Sequence, residues 1–437
     1  MTPDTIGLLI CLGLMLSFLI IGMPIFMALL LAGIGGMQYL IGFDAMANIV
    51  GKLTFNQLLG YPLLAVPMFI FMGNLLTTHK MGDELFNGLY KWFGALPGGL
   101  AIGSTVVCAI FGFMSGSNTA AAATIGSVAI PAMEQRNYAR TLSLGTLAVA
   151  GTLAALIPPS TIMLIYGGAA SNVSIGKVFV GGIVPGILLT FLMSIYIWIY
   201  ARLNPTLAPA GAKSSLYEKI IGLKELAPAA VLFIVIIGSM FVGLFTAIEA
   251  SAASVFATLL LLIAYRRLSI PRVMEAARST IKVSGMIYMI IIGASVLSHV
   301  FFITGFSDFV AGLITGMELP GWATMIVILL ILTVLGMFLD VIALIMIAVP
   351  IFLPIAIHAG YDGVWFGVIM VIASEMALCT PPVGVNLFVI QGIAPRGTSL
   401  MTVARGAAPF IGVIWILLLI LIFYPEVVTW LPSKMAY

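Results

Sequence analysis

The chain has 437 residues, of which 62% are hydrophobic and 8% are charged, and its formal net charge is +3. A soluble domain carries roughly a quarter charged residues, and apolar stretches long enough to cross a bilayer recur along nearly all of this chain. The composition therefore excludes a soluble globular fold and predicts an all-α polytopic membrane protein, because helices satisfy their own backbone groups in lipid. The basic residues form no stripe, which argues against nucleic acid as a partner.

Ten apolar segments have the length of a membrane span. The first begins at Ile6, has no basic segment before it and leads directly into the second, so it predicts a retained span and not a cleaved signal peptide. Two amphipathic stretches, about 44–59 and 79–94, are predicted to lie flat at the membrane surface or to contact a partner helix. The ten predicted spans are about 6–22, 24–42, 60–78, 140–170, 178–201, 227–245, 247–265, 283–301, 363–392 and 407–430.

Two further apolar stretches, about 97–133 and 320–357, are too long for one crossing and are interrupted near their middle by polar or small residues. We interpret each as a re-entrant hairpin that enters and leaves on one side of the membrane. With the N-terminus outside, 15 of the 18 basic residues then lie inside, as the positive-inside rule requires, and both termini lie outside. The outer basic residues are Lys52, Lys177 and Lys434, and the inner ones are Lys80, Lys91, Arg136, Arg140, Arg202, Lys213, Lys219, Lys224, Arg266, Arg267, Arg272, Arg278, Lys282, Arg396 and Arg405.

The two hairpins belong to a duplicated pattern. The segment GFMSGSNTAAAATIGSVAIPAM from Gly112 aligns with GMFLDVIALIMIAVPIFLPIAI from Gly336. Each is followed by a long apolar segment that is broken by a Pro-Pro pair, at Pro158 and Pro381, with closely matching spacing. In the topology above the hairpins enter from opposite sides, so the pattern predicts an inverted repeat. Such repeats are typical of secondary transporters, whose site lies near the membrane midplane where broken helices meet.

This repeat divides the chain into two halves and a linker. Each half is predicted to contain scaffold spans, one re-entrant helical hairpin and one Pro-Pro-broken helix. The first repeat is 1–205, with its hairpin at about 97–133 and its broken helix at about 140–170; the linker is 206–226, on the inner side; the second repeat is 227–437, with its hairpin at about 320–357 and its broken helix at about 363–392.

The broken helices predict a site that is rich in oxygen atoms. Each Pro-Pro pair removes two amide donors and frees carbonyls of the preceding turn. Together with hydroxyls and amides, these carbonyls can replace the water shell of sodium, and the half-helix N-termini can bind an anionic group. The side chains that we expect to contribute are Ser115, Ser117, Asn118, Thr119, Ser160, Thr380 and Asn386.

Three carboxylates lie in or beside apolar segments, where an ionisable group is costly. Asp340 lies at the expected tip of the second hairpin, and its sequence context leaves contact with an ion or substrate and capping of the tip equally open. Glu375 lies on the second broken helix, where a structural pair with a scaffold hydroxyl or backbone group is slightly favoured over a functional role. Glu249 is best explained as a solvated carboxylate at a helix start.

Four strings, SGSNTAAAATIG, GTLAALIPPS, GMFLD and TPPVGVNLFV, resemble in order and spacing the large, DctM-like membrane subunit of tripartite ATP-independent periplasmic (TRAP) transporters. The likeness covers essentially the whole chain. It implies sodium-driven uptake across the bacterial inner membrane by an elevator-like movement, with both termini in the periplasm. It also implies two partners: a small four-span membrane subunit, expected here as a separate polypeptide, and a periplasmic substrate-binding protein.

The resemblance further implies an organic-acid substrate, such as a dicarboxylate, sialic acid or another sugar acid. On that basis the expected substrate-binding residues are Ser115, Ser117, Asn118, Thr119, Ser160, Asp340 and Asn386. Sodium is expected at the two hairpin tips and the two Pro-Pro breaks, near Ser115, Ser117, Gly151, Thr152, Pro158, Asp340, Thr380, Pro381 and Gly384.

Other functional classes fit the sequence less well. A solitary sodium-coupled dicarboxylate carrier of the related elevator type would have the same hairpins and broken helices, so it stays open. An intramembrane protease is disfavoured, because Phe113 replaces the first glycine of a Gly-x-Ser-Gly motif and Asp340 lacks a Gly-x-Gly-Asp context. A channel is also disfavoured, because the sequence contains no charged rings and no filter-like motif. We therefore expect no enzyme, and no cofactor besides coupling sodium ions.

Overall fold

The computed structural model describes residues 2–170, 172–211 and 214–436, which form helices and no strand. Seven helical segments are long and apolar enough to cross a membrane, and one of them is the continuous run Leu216–Phe241, which comprises α12 Leu216–Leu223, α13 Ala227–Phe233 and α14 Ser239–Phe241. The bent pair Arg140–Leu156 and Thr161–Ala169, which meet at 49°, makes an eighth. Shorter apolar helices account for other predicted crossings. The predicted all-α polytopic membrane fold is confirmed. Lys213, one of the predicted inner basic residues, lies outside the described residues.

The helices of the first half follow the predicted order closely. Two of them, α3 and α5, coincide with the two amphipathic stretches, and α6 and α7 pack on each other as the arms of the first hairpin. The bounds are α1 Pro3–Ile20, α2 Ile25–Ile41, α3 Phe43–Leu58, α4 Ala65–Thr78, α5 Met81–Phe93, α6 Gly99–Ser115, α7 Asn118–Glu134, α8 Arg140–Ala150, α9 Leu153–Leu156, α10 Thr161–Ala169 and α11 Ile175–Leu203.

The helices of the second half again include a hairpin and a broken helix. Here α18 and α19 are the arms of the second hairpin, and α20 and α21 are the two parts of the broken helix. The bounds are α12 Leu216–Leu223, α13 Ala227–Phe233, α14 Ser239–Phe241, α15 Ala247–Ala264, α16 Ile270–Ile303, α17 Phe306–Thr315, α18 Gly321–Gly336, α19 Val341–His358, α20 Gly363–Ala377, α21 Val385–Ile393, α22 Leu400–Phe423 and α23 Glu426–Thr429.

Several boundaries differ from the predicted ones for identifiable reasons. Helix α16 begins at Ile270, thirteen residues before the predicted span at 283. Its first turns are charged and exposed, so they lack the apolar pattern of a span, but they are already helical, with Pro271 in the first turn. The α12 segment starts inside the predicted linker, where Ser215 and Glu218 form a capping box that the apolar pattern does not reveal. Ser399 caps α22, so the last span is Leu400–Phe423 and not 407–430. Helix α17 was not predicted.

Glycine contacts hold each hairpin against the broken helix of its own half. A Cβ atom added at Gly112 would lie 2.4 Å from the Cα atom of Ala154, and one added at Gly336 would lie 2.6 Å from the Cβ atom of Ala377. Ala154 and Ala377 each precede their Pro-Pro pair by four residues. The aligned glycines therefore make equivalent close approaches in both halves, as expected where small residues allow tight helix packing in membranes.

The two halves also pack against each other at the centre of the molecule. Helix α20 is buried from Val364 to Ala377, and apart from Ser374 and Glu375 its residues there are apolar on every face, as a buried helix requires. Helix α8 meets α22 almost backbone to backbone, since a Cβ atom added at Gly145 would lie 2.0 Å from the carbonyl carbon of Gly406. The broken helix of each half thus lies inside the molecule, next to elements of the other half.

Candidate functional site

A cleft of about 260 Å³ lies where the two hairpin tips meet, and we refer to it as the tip cleft. Its walls come from the first tip at Ser115–Ala120, the second tip at Asp340–Ile342, both broken helices, and the spans α4 and α16. The hairpins, which are far apart in sequence, therefore converge on one cavity. Of the predicted residues, the described lining contains Ser115, Ser117, Asn118, Thr119 and Asp340.

The first hairpin brings a helix N-terminus to this cleft. Helix α6 ends at Ser115, and Gly116 turns the chain with a φ of +60°, a conformation that favours glycine. The Ser117 hydroxyl caps α7 by accepting from the Ala120 amide at 3.4 Å and lies 3.3 Å from the Thr119 hydroxyl. The positive end of the α7 dipole and several hydroxyls therefore face the same space.

The second hairpin presents a helix N-terminus with a different cap. Asp340 begins α19, and its carboxylate accepts from the amide of Ile342 at 3.0 Å. Capping of the tip, one of the two roles that the sequence left open, is therefore present in the structure, while contact with an ion or substrate stays a prediction. No basic side chain lines the described part of the cleft. A carboxylate beside two positive helix ends is its main charged feature.

The remaining predicted residues lie at the helix breaks and do not line the tip cleft. Ser160 caps α10 by accepting from the Met163 amide at 3.3 Å, and it is buried. Thr152 is also buried, and its hydroxyl donates to the Val149 carbonyl at 2.7 Å. The others at the breaks are Gly151, Pro158, Thr380, Pro381, Gly384 and Asn386; Pro158 is buried, whereas Pro381 is exposed.

The breaks of the two halves interact directly. Just before the first break, the Ala148 carbonyl accepts from the side-chain amide of Asn386, in the second half, at 3.3 Å. The next carbonyl, that of Val149, accepts from the Thr152 amide within the first half. Asn386 is fully buried, and its side-chain oxygen has no hydrogen-bond partner in the described structure. A carbonyl at the first break is therefore satisfied by the second half, and one amide oxygen stays available.

Sequence reasoning missed the partner of Glu375. The Glu375 side chain is 1% exposed, and its Oε1 atom accepts from the Asn118 amide group at 2.5 Å. Its Oε2 atom is buried without a partner among the described residues. The expected pair with a scaffold hydroxyl or backbone group is thus replaced by a bond to the first hairpin tip. Its charge inside an apolar segment was the available signal, but the partner lies 257 residues away.

A bound cation would meet mainly neutral oxygens here. Within the described ranges, no group of three or more His, Cys, Asp or Glu side chains is placed to hold a metal ion. The oxygens near the cleft come from hydroxyls, side-chain amides, backbone carbonyls and single carboxylates. Such oxygen donors suit a hard cation better than a soft one.

Comparison with known proteins supports one family. The profile described as "Tripartite ATP-independent periplasmic transporter, DctM component" matches residues 12–427. The C4-dicarboxylate TRAP transporter large permease protein DctM of Pseudomonas aeruginosa is 34% identical over 85% of this chain and 86% of its own length. That of Vibrio cholerae is 34% identical over 96% of both chains. The 2,3-diketo-L-gulonate TRAP transporter large permease protein YiaN of Escherichia coli is 30% identical over 98% of this chain and 99% of its own.

Two solved structures share the fold at low sequence identity. The YdaH transporter of Alcanivorax borkumensis superposes with a TM-score of 0.63 at 13% identity, over 96% of this chain and 97% of that one. Neisseria gonorrhoeae MtrF, described as one of a class of antimetabolite efflux pumps, superposes with a TM-score of 0.58 at 14% identity, over 88% of this chain and 85% of that one. The resemblance found in the motifs is confirmed by the family match. The chain belongs to the DctM family, the large permease component of tripartite ATP-independent periplasmic transporters, and is a multi-pass transport protein of the inner membrane.

Proposed function

We propose that this chain takes up a small organic acid by sodium-coupled secondary transport, with the tip cleft as the binding site. The observation that carries the proposal is the meeting of both hairpin tips, one from each half, at a single cavity. Interrupted helices that face each other provide polar backbone at membrane depth without exposing it to lipid. The relatives named for C4-dicarboxylates and 2,3-diketo-L-gulonate, both acids, support the substrate class.

The electrostatics of the tip cleft explain why an acid would need a cation. An anionic substrate would meet the N-termini of α7 and α19, which favour negative charge. It would also meet Asp340, and no basic side chain among the described lining residues offsets that carboxylate. A sodium ion beside Asp340 would remove the repulsion, so cation binding would strengthen substrate binding. This coupling is the basis of symport in the proposal.

The predicted sodium ligands divide into two groups. Ser115, Ser117 and Asp340 reach the tip cleft directly. The group at the breaks comprises Gly151, Thr152, Pro158, Thr380, Pro381 and Gly384, and it would act through backbone carbonyls and hydroxyls. Two buried oxygens without partners, on Glu375 and Asn386, support the presence of cation-binding capacity close to these breaks.

The partners and the movement are also part of the proposal. A small four-span subunit would extend the scaffold, and a periplasmic binding protein would deliver the substrate to the outer face, where both termini lie. The tip cleft lies between hairpin-bearing elements and the spans α4 and α16, so a rigid movement of the hairpin-bearing elements past those spans would alternate access. We assign the chain no catalytic reaction.

Reconstitution tests this proposal. Vesicles containing the chain, with and without a small subunit and a binding protein, are assayed for uptake of a panel of dicarboxylates and sugar acids under an imposed sodium gradient. Uptake that needs sodium and both partners supports the proposal. Complete uptake by the chain alone would instead identify a solitary sodium/dicarboxylate symporter. Uptake that is independent of sodium, or absent for every acid in the panel, would contradict the sodium-coupled mechanism.

A further inference from the structure

A wholly apolar groove of about 510 Å³ lies away from the tip cleft, between the first hairpin and α11. One wall is α6, at Ile102, Val106 and Ile110, and the other is α11, from Ile187 to Trp198. Two hydroxyls lie in the α11 wall, but both are satisfied within the helix. Thr190 donates to the Gly186 carbonyl at 2.8 Å, and Ser194 donates to the Thr190 carbonyl at 2.7 Å. The groove therefore offers a ligand no unsatisfied polar group.

The length of the groove matches one leaflet of a bilayer. Ile187 and Trp198 are eleven residues apart on α11, which corresponds to roughly 16 Å at 1.5 Å per residue. Half of a hydrocarbon core is about 15 Å thick. Ile157, beside the first Pro-Pro break, lies at the deep end, and Leu96 and Trp198 lie at the other. The groove thus runs from the middle of the membrane to one surface.

A cation lies at the shallow end. The Arg202 guanidinium stacks over the Trp198 ring, 5.2 Å from its centroid, one helical turn beyond the groove. Arg202 is exposed, and in the described structure its guanidinium makes no hydrogen bond or ion pair. Tryptophan is enriched at the level of lipid headgroups, and a long basic side chain there reaches the phosphates. In the orientation proposed above, this end faces the cytoplasm.

We propose that this groove binds one acyl chain of an anionic phospholipid of the cytoplasmic leaflet, with its phosphate on Arg202. The apolar walls recognise the chain, and the guanidinium of Arg202 at the shallow end selects a headgroup with net negative charge. One wall is an arm of the first hairpin and the other, α11, packs against it, so the lipid would accompany the hairpin-bearing part of the molecule. Only the naming of the leaflet rests on the proposed orientation, and the proposal is independent of which acid is transported.

Fluorescence quenching by brominated acyl chains tests the site. The purified protein is placed in vesicles that contain either brominated phosphatidylglycerol or brominated phosphatidylcholine. The fluorescence of Trp198 is obtained by subtracting the fluorescence of the Trp198→Phe variant from that of the protein with Trp198, and the same subtraction is made for each further variant. One basic residue near an anionic headgroup contributes about 1 kcal/mol to lipid binding. We therefore expect half-maximal quenching at an approximately fivefold lower mole fraction of brominated phosphatidylglycerol than of brominated phosphatidylcholine. Arg202→Gln should make the two lipids equivalent.

Matched variants separate this site from the lipid that surrounds any membrane protein. Arg278→Gln removes an exposed basic residue from α16 and should leave the preference unchanged. Ser194→Leu fills the groove and should weaken quenching by both lipids, whereas Ile199→Phe adds bulk at an exposed α11 position that does not line the groove and should not. Equal quenching by both lipids in the unsubstituted protein, or a preference that survives Arg202→Gln, would overturn the proposal. Uptake is not used as a readout, so these results stand apart from the transport proposal.

Discussion

The two hairpin tips each place a helix N-terminus at the cleft, but their chemistry is unequal. At each tip a helix begins at the cleft and is capped by a side-chain oxygen, from Ser117 in the first and Asp340 in the second. Around Ser117 lie further hydroxyls and an amide, whereas Asp340 is followed by the apolar Val341 and Ile342. The two tips therefore share the helix end at the cleft and not the side chains around it. Neutral oxygens come from one half of the chain, and charge at the cleft comes from the other.

The largest effect should follow removal of the charge at the second tip. Asp340→Asn keeps a capping oxygen but loses the carboxylate charge, which at about 4 Å from a cation contributes about 4 kcal/mol at an effective dielectric constant of 20. We expect the apparent sodium affinity for uptake to fall by at least about 100-fold. Asp340→Ala should lose the cap as well and reduce sodium-dependent uptake without unfolding the protein. Uptake by Asp340→Asn with unchanged sodium dependence would remove this residue from the site.

A matched control for this experiment is Asp362→Asn. Asp362 caps α20 in the same way, accepting from the Val364 amide at 2.7 Å, but it does not line the tip cleft. Its substitution should leave the sodium dependence of uptake unchanged. A fall as large as that of Asp340→Asn would show that helix capping, and not charge at the cleft, is what uptake requires.

The packing that supports the tips should also differ between the halves. In Gly112→Ala the new methyl group meets the Cα and amide nitrogen of Ala154 at 2.4 and 3.0 Å, and backbone atoms cannot rotate away. We expect destabilisation of about 3 kcal/mol, the upper end for overpacking. In Gly336→Ala the new methyl group meets one atom that moves only with its backbone, the Cβ of Ala377 at 2.6 Å, and one that can rotate, a methyl group of Leu344 at 3.1 Å. Fewer fixed atoms oppose the new methyl group than at Gly112, so the loss should be smaller.

Thermal and denaturant unfolding in detergent measure this difference. Gly285→Ala is the control, because a Cβ atom at that position has nothing within 4 Å. Equal destabilisation by Gly112→Ala and Gly336→Ala would mean that the first hairpin relaxes as easily as the second. The two hairpins would then be mechanically equivalent and would differ only in their polar groups.

The sequence predicted the parts that depend on apolar length and on repeated motifs. The fold class, the helix pairs of both hairpins and both helix breaks could be derived from apolar length and spacing. The residues expected together at one site converge only in part, since Ser160, Thr380 and Asn386 do not line the tip cleft. Helix starts such as Ser215 and Ser399 were missed, because a cap adds one or two polar residues without changing the apolar pattern. The bond between Asn118 and Glu375 was missed because it joins the halves, and an inverted repeat predicts equivalent positions and not the contacts between them.

That bond between the halves provides the third prediction. Asn118→Ala leaves both oxygens of the buried Glu375 carboxyl without a donor, which should cost about 2 kcal/mol of stability. Glu375→Gln keeps an acceptor oxygen for the Asn118 amide and should cost less. A double-mutant cycle with Asn118→Ala and Glu375→Ala, each of which removes the bond, followed by unfolding in detergent, measures the coupling. Asn48→Ala, at an exposed asparagine on α3, is the control. Coupling near zero would show that the first tip and the second broken helix are stabilised independently.

The smallest effect should come from a single hydroxyl at the first tip. Ser117→Ala removes the cap of α7, worth about 1 kcal/mol, and one of several neutral oxygens at the cleft. Because Ser115 and Thr119 lie beside it, we expect sodium-dependent uptake to fall by about fivefold, which corresponds to about 1 kcal/mol.

Ser174→Ala is the matched control. It removes an equally long cap from α11, with Ser174 accepting from the Lys177 amide at 3.4 Å, outside the cleft. If both variants reduce uptake equally, helix capping alone explains the loss. If Ser117→Ala matches Asp340→Asn, the charge at the second tip is no more important than a hydroxyl at the first, and the unequal chemistry of the tips has no functional weight.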